Sequence, residues 1–371
     1  MAQLRILGTE QSSEWLSVLS ASAGYDFYHL PSYHRIAEEQ GEGTGRLFVW
    51  SEEGATIALP LLLRPLAALP EVNGSGANLR DATSVYGYAG PVASANDLPE
   101  SVAENFRTAL RDAVVELGVV SVFSRLHPLI PHQKSWLAGL GECKALARTV
   151  SIDLTLSSEE QRARYRRNHK EGINKLRRRG AACAYDADAV HLPEFIEIYN
   201  ETMRRVGAAA AYFFSPAYFA ALRACVGKGF HLFGCWIAGE LACGGLFVEC
   251  NGILQFHLGG TRDAFLRLAP MKLLFDDVRE WATQRGLRVF HLGGGATARP
   301  DDSLLHFKTG FSDNTYDFCV WRYTAAPELY ESLCRAKSRW NDENHMQPTS
   351  ADFFPTYRCP TVPLIAAGDV S

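Results

Sequence analysis

The chain has 371 residues, of which 47% are hydrophobic, and this length and composition predict a globular protein of about two domains. The formal net charge of −4 excludes a global attraction to polyanions, so any contact with nucleic acid must come from a local basic patch. Nine scattered cysteines without C-x-x-C spacing argue against a zinc knuckle and indicate reduced thiols in a cytoplasm. We find no signal-peptide pattern and no run of roughly 18 apolar residues that a membrane span needs.

The first part of the sequence, residues 1–148, predicts a mixed α/β domain. Gly118 is a natural C-cap for a long helical pattern, and a buried strand follows it. The turn at Glu53-Gly54 joins two strand patterns. The elements predicted here are helices at 14–19, 32–39 and 95–117 and strands at 46–50, 55–63 and 119–126.

The second part, residues 149–340, predicts another mixed α/β domain, followed by an irregular, loosely held tail at 341–371. Asn251-Gly252 is a strong hairpin signal within a meander of three strands. Pro270 opens a helix at a position where its missing N–H costs nothing. The elements predicted here are strands at 152–156, 230–237, 240–250, 253–258, 287–292 and 316–323, and helices at 158–179, 191–206, 216–226, 270–285 and 327–340.

Both parts therefore predict a strand meander followed by a helix and a strand, that is, two structurally similar α/β units. No sustained heptad pattern predicts a coiled-coil arm. Within the second part, Phe256–Gly260 is echoed by Phe290–Gly294, which predicts two neighbouring strands ending at one cleft. Each strand carries a histidine, His257 or His291. These histidines can serve as a general base, form half of a metal site, or be buried residues with satisfied hydrogen bonds. No third ligand has diagnostic spacing, so we expect no metal.

Residues 290–311 form the most informative stretch. Three glycines follow a strand directly and allow close approach of the backbone. A polar loop and a capping residue then lead into a short helix that presents Phe307 and Lys308. The alternative is a tight turn followed by a surface lysine.

A second feature is the basic segment 162–179, which holds nine lysines and arginines against the single acid Glu171. On one continuous helix, four of these cations line one side, where they can contact a phosphate backbone. The alternatives are a solvated helix or a purely architectural one. The four candidate RNA-binding residues are Arg164, Arg167, Lys175 and Arg178.

Two further groups are candidates for binding an acceptor substrate. The first lies in a loop of small residues and contains Asp81, Tyr86 and Tyr88, with a packed turn as the alternative. The second, Arg204, Arg205 and Tyr212, follows a helix, and an arginine there can clamp a carboxylate or phosphate. We include His257 and His291 in the same candidate acceptor set.

Several of these stretches resemble the Fem-type aminoacyl-tRNA-dependent peptidyl transferases. The resemblance covers about residues 25–323. The stretches that carry it are HLGGG at 291–295, SLLHFKTGFS at 303–312, Asp81 with YGYAGP at 86–91, SRLHP at 124–128, and the basic helix.

The resemblance implies two tandem domains of the acetyltransferase (GNAT) fold and an enzyme that forms amide bonds. Lys308 matches the lysine that meets the ester end of the charged tRNA, and Phe307 matches its aromatic neighbour. Aminoacyl-tRNA is then the donor, and because its ester is already activated, neither ATP, a metal nor another cofactor is needed. The acceptor is the amine of a small peptide, a natural-product intermediate or a peptidoglycan precursor.

Two other functions remain open. An acyl-CoA-dependent N-acyltransferase of the same fold usually has a glycine-rich loop before its main helix, where backbone N–H groups bind pyrophosphate. Here that place holds Arg267–Met271, and Pro270 removes one donor, which weakens CoA as the donor. A non-catalytic RNA-binding protein is the other alternative. The sequence does not support a hydrolase or an ATP-driven ligase, since it contains neither a G-x-S-x-G motif nor a P-loop motif.

Overall fold

The computed structural model describes residues 2–72, 78–297, 299 and 301–364. The chain divides into two compact units, one of Met1–Ala145 with Cys319–Ser371 and one of Leu146–Phe318. The predicted boundaries, 1–148 and 149–340, differ from these units in the segment from Cys319 onward, which returns to the first unit. The end of the predicted tail, 365–371, lies outside the described residues.

The first unit is built on a mixed sheet with the strand order β1-β2-β3-β4-β6. Neighbours are antiparallel except β4 and β6, which are parallel and are connected through helix α3; β5 pairs with β3. The strands are β1 (Gln3–Gly8), β2 (Thr44–Glu52), β3 (Ala55–Pro65), β4 (Arg80–Thr83), β5 (Val92–Ala93) and β6 (Val119–Arg125). The helices are α1 (Ser12–Ser20), α2 (Pro31–Glu39), α3 (Glu100–Glu116) and α4 (Gln133–Trp136).

The second unit repeats this plan with the strand order β7-β12-β11-β10-β9-β8. Neighbours are again antiparallel except one parallel pair, β11 and β12, which is connected through helix α9. The strands are β7 (Glu142–Asp153), β8 (Ala182–Asp186), β9 (Phe230–Ile237), β10 (Glu240–Cys250), β11 (Ile253–Thr261) and β12 (Val289–Gly294). The helices are α5 (Ser158–Ala163), α6 (Arg167–Arg178), α7 (Leu192–Arg205), α8 (Pro216–Val226), α9 (Met271–Gln284) and α10 (Ser303–Lys308).

Helix α9 covers the core face of the second sheet. Leu274, Val278 and Ala282 recur at helical spacing and are fully buried, so they form one apolar stripe. This stripe packs into a cluster with aromatic residues of the strands, among them Phe247 and Phe290. The aromatic packing fixes α9 against this face of the sheet.

The chain returns to the first unit through β13 (Thr315–Thr324) and α11 (Pro327–Glu343). Val320–Thr324 pairs antiparallel with β6. Beyond α11 the chain is largely irregular, as expected, but it is not loosely held. The fully buried Tyr357 places its hydroxyl 2.7 Å from Ser121 Oγ, and Arg358 donates to Asp81 at 2.8 Å. These contacts hold the described part of the tail against the first unit.

The predicted mixed α/β fold class with two similar units is confirmed. The longest described helices have 17 residues, so the described part of the chain contains no coiled-coil arm. None of its helices is long and apolar enough to cross a membrane.

The helix predicted for the basic segment is wrong in its extent. The helix expected at 158–179 is two helices, α5 and α6, with a break at residues 164–166. Arg166 adopts an extended backbone there, and its N–H donates to the carbonyl oxygen of Gly310 at 2.9 Å. A tertiary contact therefore replaces the intrahelical hydrogen bond at this point.

Candidate active site

The second sheet opens between its two parallel strands. Pairing of β11 with β12 ends at Gln255 and His291. Beyond that point β11 continues to Thr261 beside β10, whereas β12 continues to Gly294 beside β7. The divergence creates a gap, which we call the strand gap, between the ends of β11 and β12.

The side chain of Lys308 lies in the strand gap. Its Nζ donates to the carbonyl oxygen of Gly294, on β12, at 2.6 Å. The same atom lies 5.6 Å from the ring centroid of Phe256, on β11. Lys308 is only 5% exposed, and burial lowers the pKa of its amine to about 7, although Asp302 acts in the opposite direction. Near neutral pH the amine is therefore present both as a cation and as a free base.

Helix α10 carries Lys308 as its last residue and is capped at its start by Asp302. Asp302 accepts from the N–H of Leu305 at 2.8 Å, which satisfies a donor of the first helical turn. It also accepts from the N–H and the hydroxyl of Thr297 at 2.7 and 2.9 Å. The cap therefore also organises the preceding loop.

Helix α10 is attached to the start of α6 by two side chains. Arg166 donates to the carbonyl oxygen of His306 at 2.9 Å and to Thr309 Oγ1 at 2.8 Å. His169 Nε2 donates to the carbonyl oxygen of Phe307 at 3.0 Å. Burial lowers the pKa of His169 to about 4, so the ring is neutral at physiological pH.

Arg166 and His169 were not among the residues predicted from the sequence. The available signal was the spacing of His169, Ile173 and Leu176, which places these buried residues on one face of α6. The predicted residue Phe307 is partly buried, and its ring packs 5.7 Å from that of Phe275 and 5.4 Å from that of Phe311. Phe307 thus anchors the helix that carries Lys308.

The break in the basic segment divides the predicted RNA-binding residues. Arg167, Lys175 and Arg178 are exposed on α6, and their positions lie within about one quarter of the helix circumference. Arg167 also pairs with Glu171 at 2.7 Å. Arg164 lies outside α6, and its side chain is 3.4 Å from Asn314 Oδ1.

Two other cations of the basic segment form ion pairs within the fold. Arg162 and Arg177, together with Arg279 of α9, pair with the fully buried carboxylate of Asp276, at 2.5, 3.0 and 3.1 Å. Three positive charges around one buried carboxylate join α5, α6 and α9. Part of the charge run therefore forms ion pairs within the fold.

The two predicted histidines lie beside the strand gap. His257 Nε2 is 2.8 Å from the hydroxyl of Tyr218, and burial lowers the pKa of His257 to about 3. His291 Nδ1 is 2.6 Å from Gln255 Oε1. Strand alternation places His257 on the sheet face opposite to Phe256. In the described part of the chain, no group of three or more potential ligands is arranged to hold a metal ion.

The predicted residues that follow α7 differ in their contacts. Arg205 pairs with Asp263 and also donates to the carbonyl oxygen of Thr261, the end of β11, at 3.1 Å. Arg204 is exposed. Tyr212 is also exposed, and its carbonyl oxygen accepts from the hydroxyl of Tyr199 at 2.7 Å. Arg205 therefore connects this surface to the edge of the strand gap.

The remaining predicted residues lie in the first unit. Asp81 is fully buried, and both Arg64 and Arg358 donate to its two carboxylate oxygens at 2.8–3.2 Å. This geometry supports a structural ion-pair centre, since neither oxygen is exposed to an acceptor. Tyr86 is partly exposed, and the ring of Tyr88 lies 5.6 Å from that of Tyr28.

Comparison with known proteins shows which protein family the region around this site resembles. A family model described as an acetyltransferase (GNAT) domain matches residues 163–309. The match contains α6, the strand gap and Lys308. Residues 163–309 are therefore similar to an acetyltransferase (GNAT) domain. No curated protein matches the sequence.

Solved structures show the fold over most of the chain. The chain is similar to FemX, with a TM-score of 0.66 at 12% identity over 89% of this chain and 99% of the other. It is also similar to L-PGS from Bacillus licheniformis, with a TM-score of 0.53 at 14% identity over 84% and 91%. A tandem GNAT protein from the clavulanic acid biosynthesis pathway has a TM-score of 0.50 at 12% identity over 88% and 99%. The chain thus has a Fem-like tandem GNAT fold, as the sequence motifs predicted.

Proposed function

We propose that this protein is an aminoacyl-tRNA-dependent transferase that forms an amide bond on the amine of an acceptor. The observation that carries the proposal is the buried amine of Lys308 in the strand gap, 2.6 Å from the Gly294 carbonyl oxygen. A lysine held in a dry site can interact strongly with charge that develops in a transition state. The similarity in fold to FemX also supports the proposed reaction, amide formation from aminoacyl-tRNA.

In the proposed reaction the acceptor amine attacks the ester carbonyl carbon of the charged tRNA. A C–N bond forms, the C–O bond to the ribose breaks, and the proton lost by the amine is taken up by the departing ribose oxygen. Protonated Lys308 stabilises the negative charge that builds on the carbonyl oxygen, a contribution of about 3 kcal/mol for a well-placed donor. Positioning of two pre-activated reactants supplies much of the remaining rate enhancement.

The exposed cations of α6 are the proposed contacts for the tRNA backbone. Arg167, Lys175 and Arg178 point away from the buried face of that helix, and Arg164 extends the same basic segment. Arg166 connects the start of α6 to α10. RNA bound along α6 would therefore lie on the element that holds Lys308 in place.

We propose as acceptor contacts those predicted residues whose side chains are at least partly accessible or lie beside the strand gap. An arginine suits an acceptor that carries a carboxylate or a phosphate, and the acceptor classes are a small peptide, a natural-product intermediate or a peptidoglycan precursor. A reaction that consumes charged tRNA places the protein in the cytoplasm. The proposed acceptor contacts are Tyr86, Tyr88, Arg204, Arg205, Tyr212, His257 and His291.

A second candidate function, acyl-CoA-dependent N-acylation, is favoured by one observation. The family model that matches residues 163–309 describes an acetyltransferase domain. Against it, α9 starts behind Pro270, which removes a backbone donor where pyrophosphate would bind. The two donors can be compared directly in one assay.

The test supplies both donors to the purified protein. Bulk tRNA charged with labelled amino acids is given with and without ribonuclease, together with an extract of small amines, and a matched reaction contains labelled acetyl-CoA. We expect ribonuclease-sensitive transfer into a base-stable product, and loss of that transfer in Lys308→Met. Lys337→Met is the matched control, because Lys337 is equally buried but lies in the first unit.

The other outcomes each exclude the proposal. Transfer from acetyl-CoA alone would assign the protein to the acyl-CoA class. Equal binding of charged and uncharged tRNA without turnover would indicate a non-catalytic RNA-binding protein. Full activity in Lys308→Met would disprove the role of this lysine.

A further inference from the structure

We infer that Asp302 is the positioning residue that holds the Lys308 amine in the strand gap, a role that rests on the proposed function of Lys308. Asp302 ends the loop between β12 and α10, and Lys308 ends α10 itself. The two residues therefore stand at opposite ends of one short helix. Fixing the first end determines where the second end can reach.

The carboxylate of Asp302 accepts hydrogen bonds from several described residues on both sides of it. It accepts hydrogen bonds from the N–H groups of Ala296, Thr297 and Leu305 and from the hydroxyl of Thr297. Asp302 is only 7% exposed, so these donors replace the water that a free carboxylate would bind. A helix cap needs one such bond, and the others tie down the loop.

Gly294 and Lys308 are the two ends of a segment that includes Asp302 and α10. These two ends are joined directly by the hydrogen bond from Lys308 Nζ to the Gly294 carbonyl oxygen. At Gly295 a Cβ atom would come within 2.4 Å of Asp302 Oδ1. The glycine at this position therefore lets the backbone pass close to the carboxylate.

Asp302 also opposes the desolvation of Lys308. Burial is the main cause that lowers the pKa of Lys308, and the negative charge of Asp302 raises it. Arg166 donates to the carbonyl oxygen of His306 on α10, and Lys272 acts on His169, which contacts Phe307 on the same helix. Both are cationic and do not replace the effect of the Asp302 carboxylate. The neighbouring carboxylate of Asp301 is exposed and pairs with Arg299.

The test compares three variants of the full chain. Asp302→Asn keeps the size and an acceptor oxygen but removes the charge. Asp302→Ser keeps a capping oxygen for Leu305 and removes both the charge and the second acceptor. Asp301→Asn is the matched control, because Asp301 is exposed and pairs only with Arg299 among the contacts described for its side chain.

The readout is competitive acylation of lysine amines across pH 5–10, followed by mass spectrometry of the peptide that contains Lys308. The rate of labelling at each pH gives the apparent pKa of that amine in the folded protein. We expect the pKa to fall by about one unit in both Asp302 variants, the lower end of what a nearby opposite charge contributes, and to stay unchanged in Asp301→Asn. In the transfer assay we expect kcat to fall about tenfold with KM nearly unchanged, as for loss of an interaction specific to the transition state.

Unchanged labelling in both Asp302 variants would overturn the inference. So would a fall in labelling pKa that Asp301→Asn reproduces, or unfolding of both Asp302 variants, which would assign Asp302 to stability alone. Labelling requires no donor or acceptor. A shifted Lys308 pKa without tRNA-dependent transfer would therefore refute the proposed function while leaving the positioning role intact.

Discussion

The Nζ atom of Lys308 donates a 2.6 Å hydrogen bond to the carbonyl oxygen of Gly294, and this contact joins the end of α10 to the end of β12. The partner is a neutral carbonyl group, so it does not neutralise the buried ammonium as a carboxylate would. Desolvation therefore dominates and lowers the pKa of Lys308. The same contact places the amine between the diverging strands, where the ester of the proposed reaction would approach.

The stability of the protein should depend on pH through Lys308. The folded-state pKa of about 7 lies below the ordinary value of 10.5, so the unfolded chain binds more protons between these values and stability rises with pH. We expect a gain of about 2 kcal/mol in the free energy of unfolding between pH 7 and pH 9. Urea denaturation at both pH values measures it, and in Lys308→Met this contribution should be missing. An equal gain in the variant would contradict the pKa shift.

The ion-pair centre at Asp81 should contribute to stability. Removing its charge leaves Arg64 and Arg358 partly buried without their partner, and breaking a buried pair costs about 3 kcal/mol. We expect Asp81→Asn to lower the free energy of unfolding by this amount in urea denaturation. Asp97→Asn, at an exposed aspartate, should change it by less than about 0.5 kcal/mol. Equal stability of the two variants would argue against the structural role.

The exposed cations of α6 should determine the salt dependence of tRNA binding. Each lost phosphate contact reduces the slope of log K against log salt by about one. The triple variant Arg167→Ala, Lys175→Ala and Arg178→Ala should therefore bind tRNA more weakly, with a slope smaller by about three. Arg335→Ala is the control, since Arg335 forms an exposed (i, i+4) pair like that of Arg167. A slope that is the same in the triple variant and in the control would remove α6 from the RNA interface.

The contacts of Arg166 should matter for catalysis and not for RNA affinity. Arg166→Met removes the donors to His306 and Thr309 that attach α10 to α6. We expect faster hydrogen exchange in α10 and about tenfold slower transfer, with tRNA affinity reduced by no more than one phosphate contact would cost. Arg335→Met is the control, because that side chain lies in an exposed ion pair with Glu331 on α11. Slower exchange, or loss of affinity without loss of turnover, would contradict this prediction.

Much of the fold could be predicted because local signals agreed with the final structure. Helix α8 and strands β9 and β10 have the predicted bounds, since proline, glycine and apolar periodicity mark their ends. Short elements such as β4 and β8 were missed, because a strand of four or five residues is defined mainly by its partner. Helix α3 begins at Glu100 and not at 95, after Pro99, whose preceding residue disfavours helical backbone.

The candidate site could be predicted only in part. The cap, the glycines and the Phe307-Lys308 pair lie within one short stretch, so the sequence placed them together. The contacts of Arg166 and His169 with α10 cross about 140 residues of chain. No local pattern predicts such a pairing, because these side chains meet only after the second sheet has formed.

The sequence alone determined most of the longer elements, the two similar α/β units and the short segment that carries Lys308, because propensities, caps and turn residues act over a few neighbouring positions. Tertiary structure decided the protonation of Lys308, the division of the basic segment at Arg166, and the return of the chain from Cys319 to the first unit. Each of these depends on burial or on contacts between distant residues. A pKa in particular is set by how much water is removed from around the amine, which only the packed structure determines.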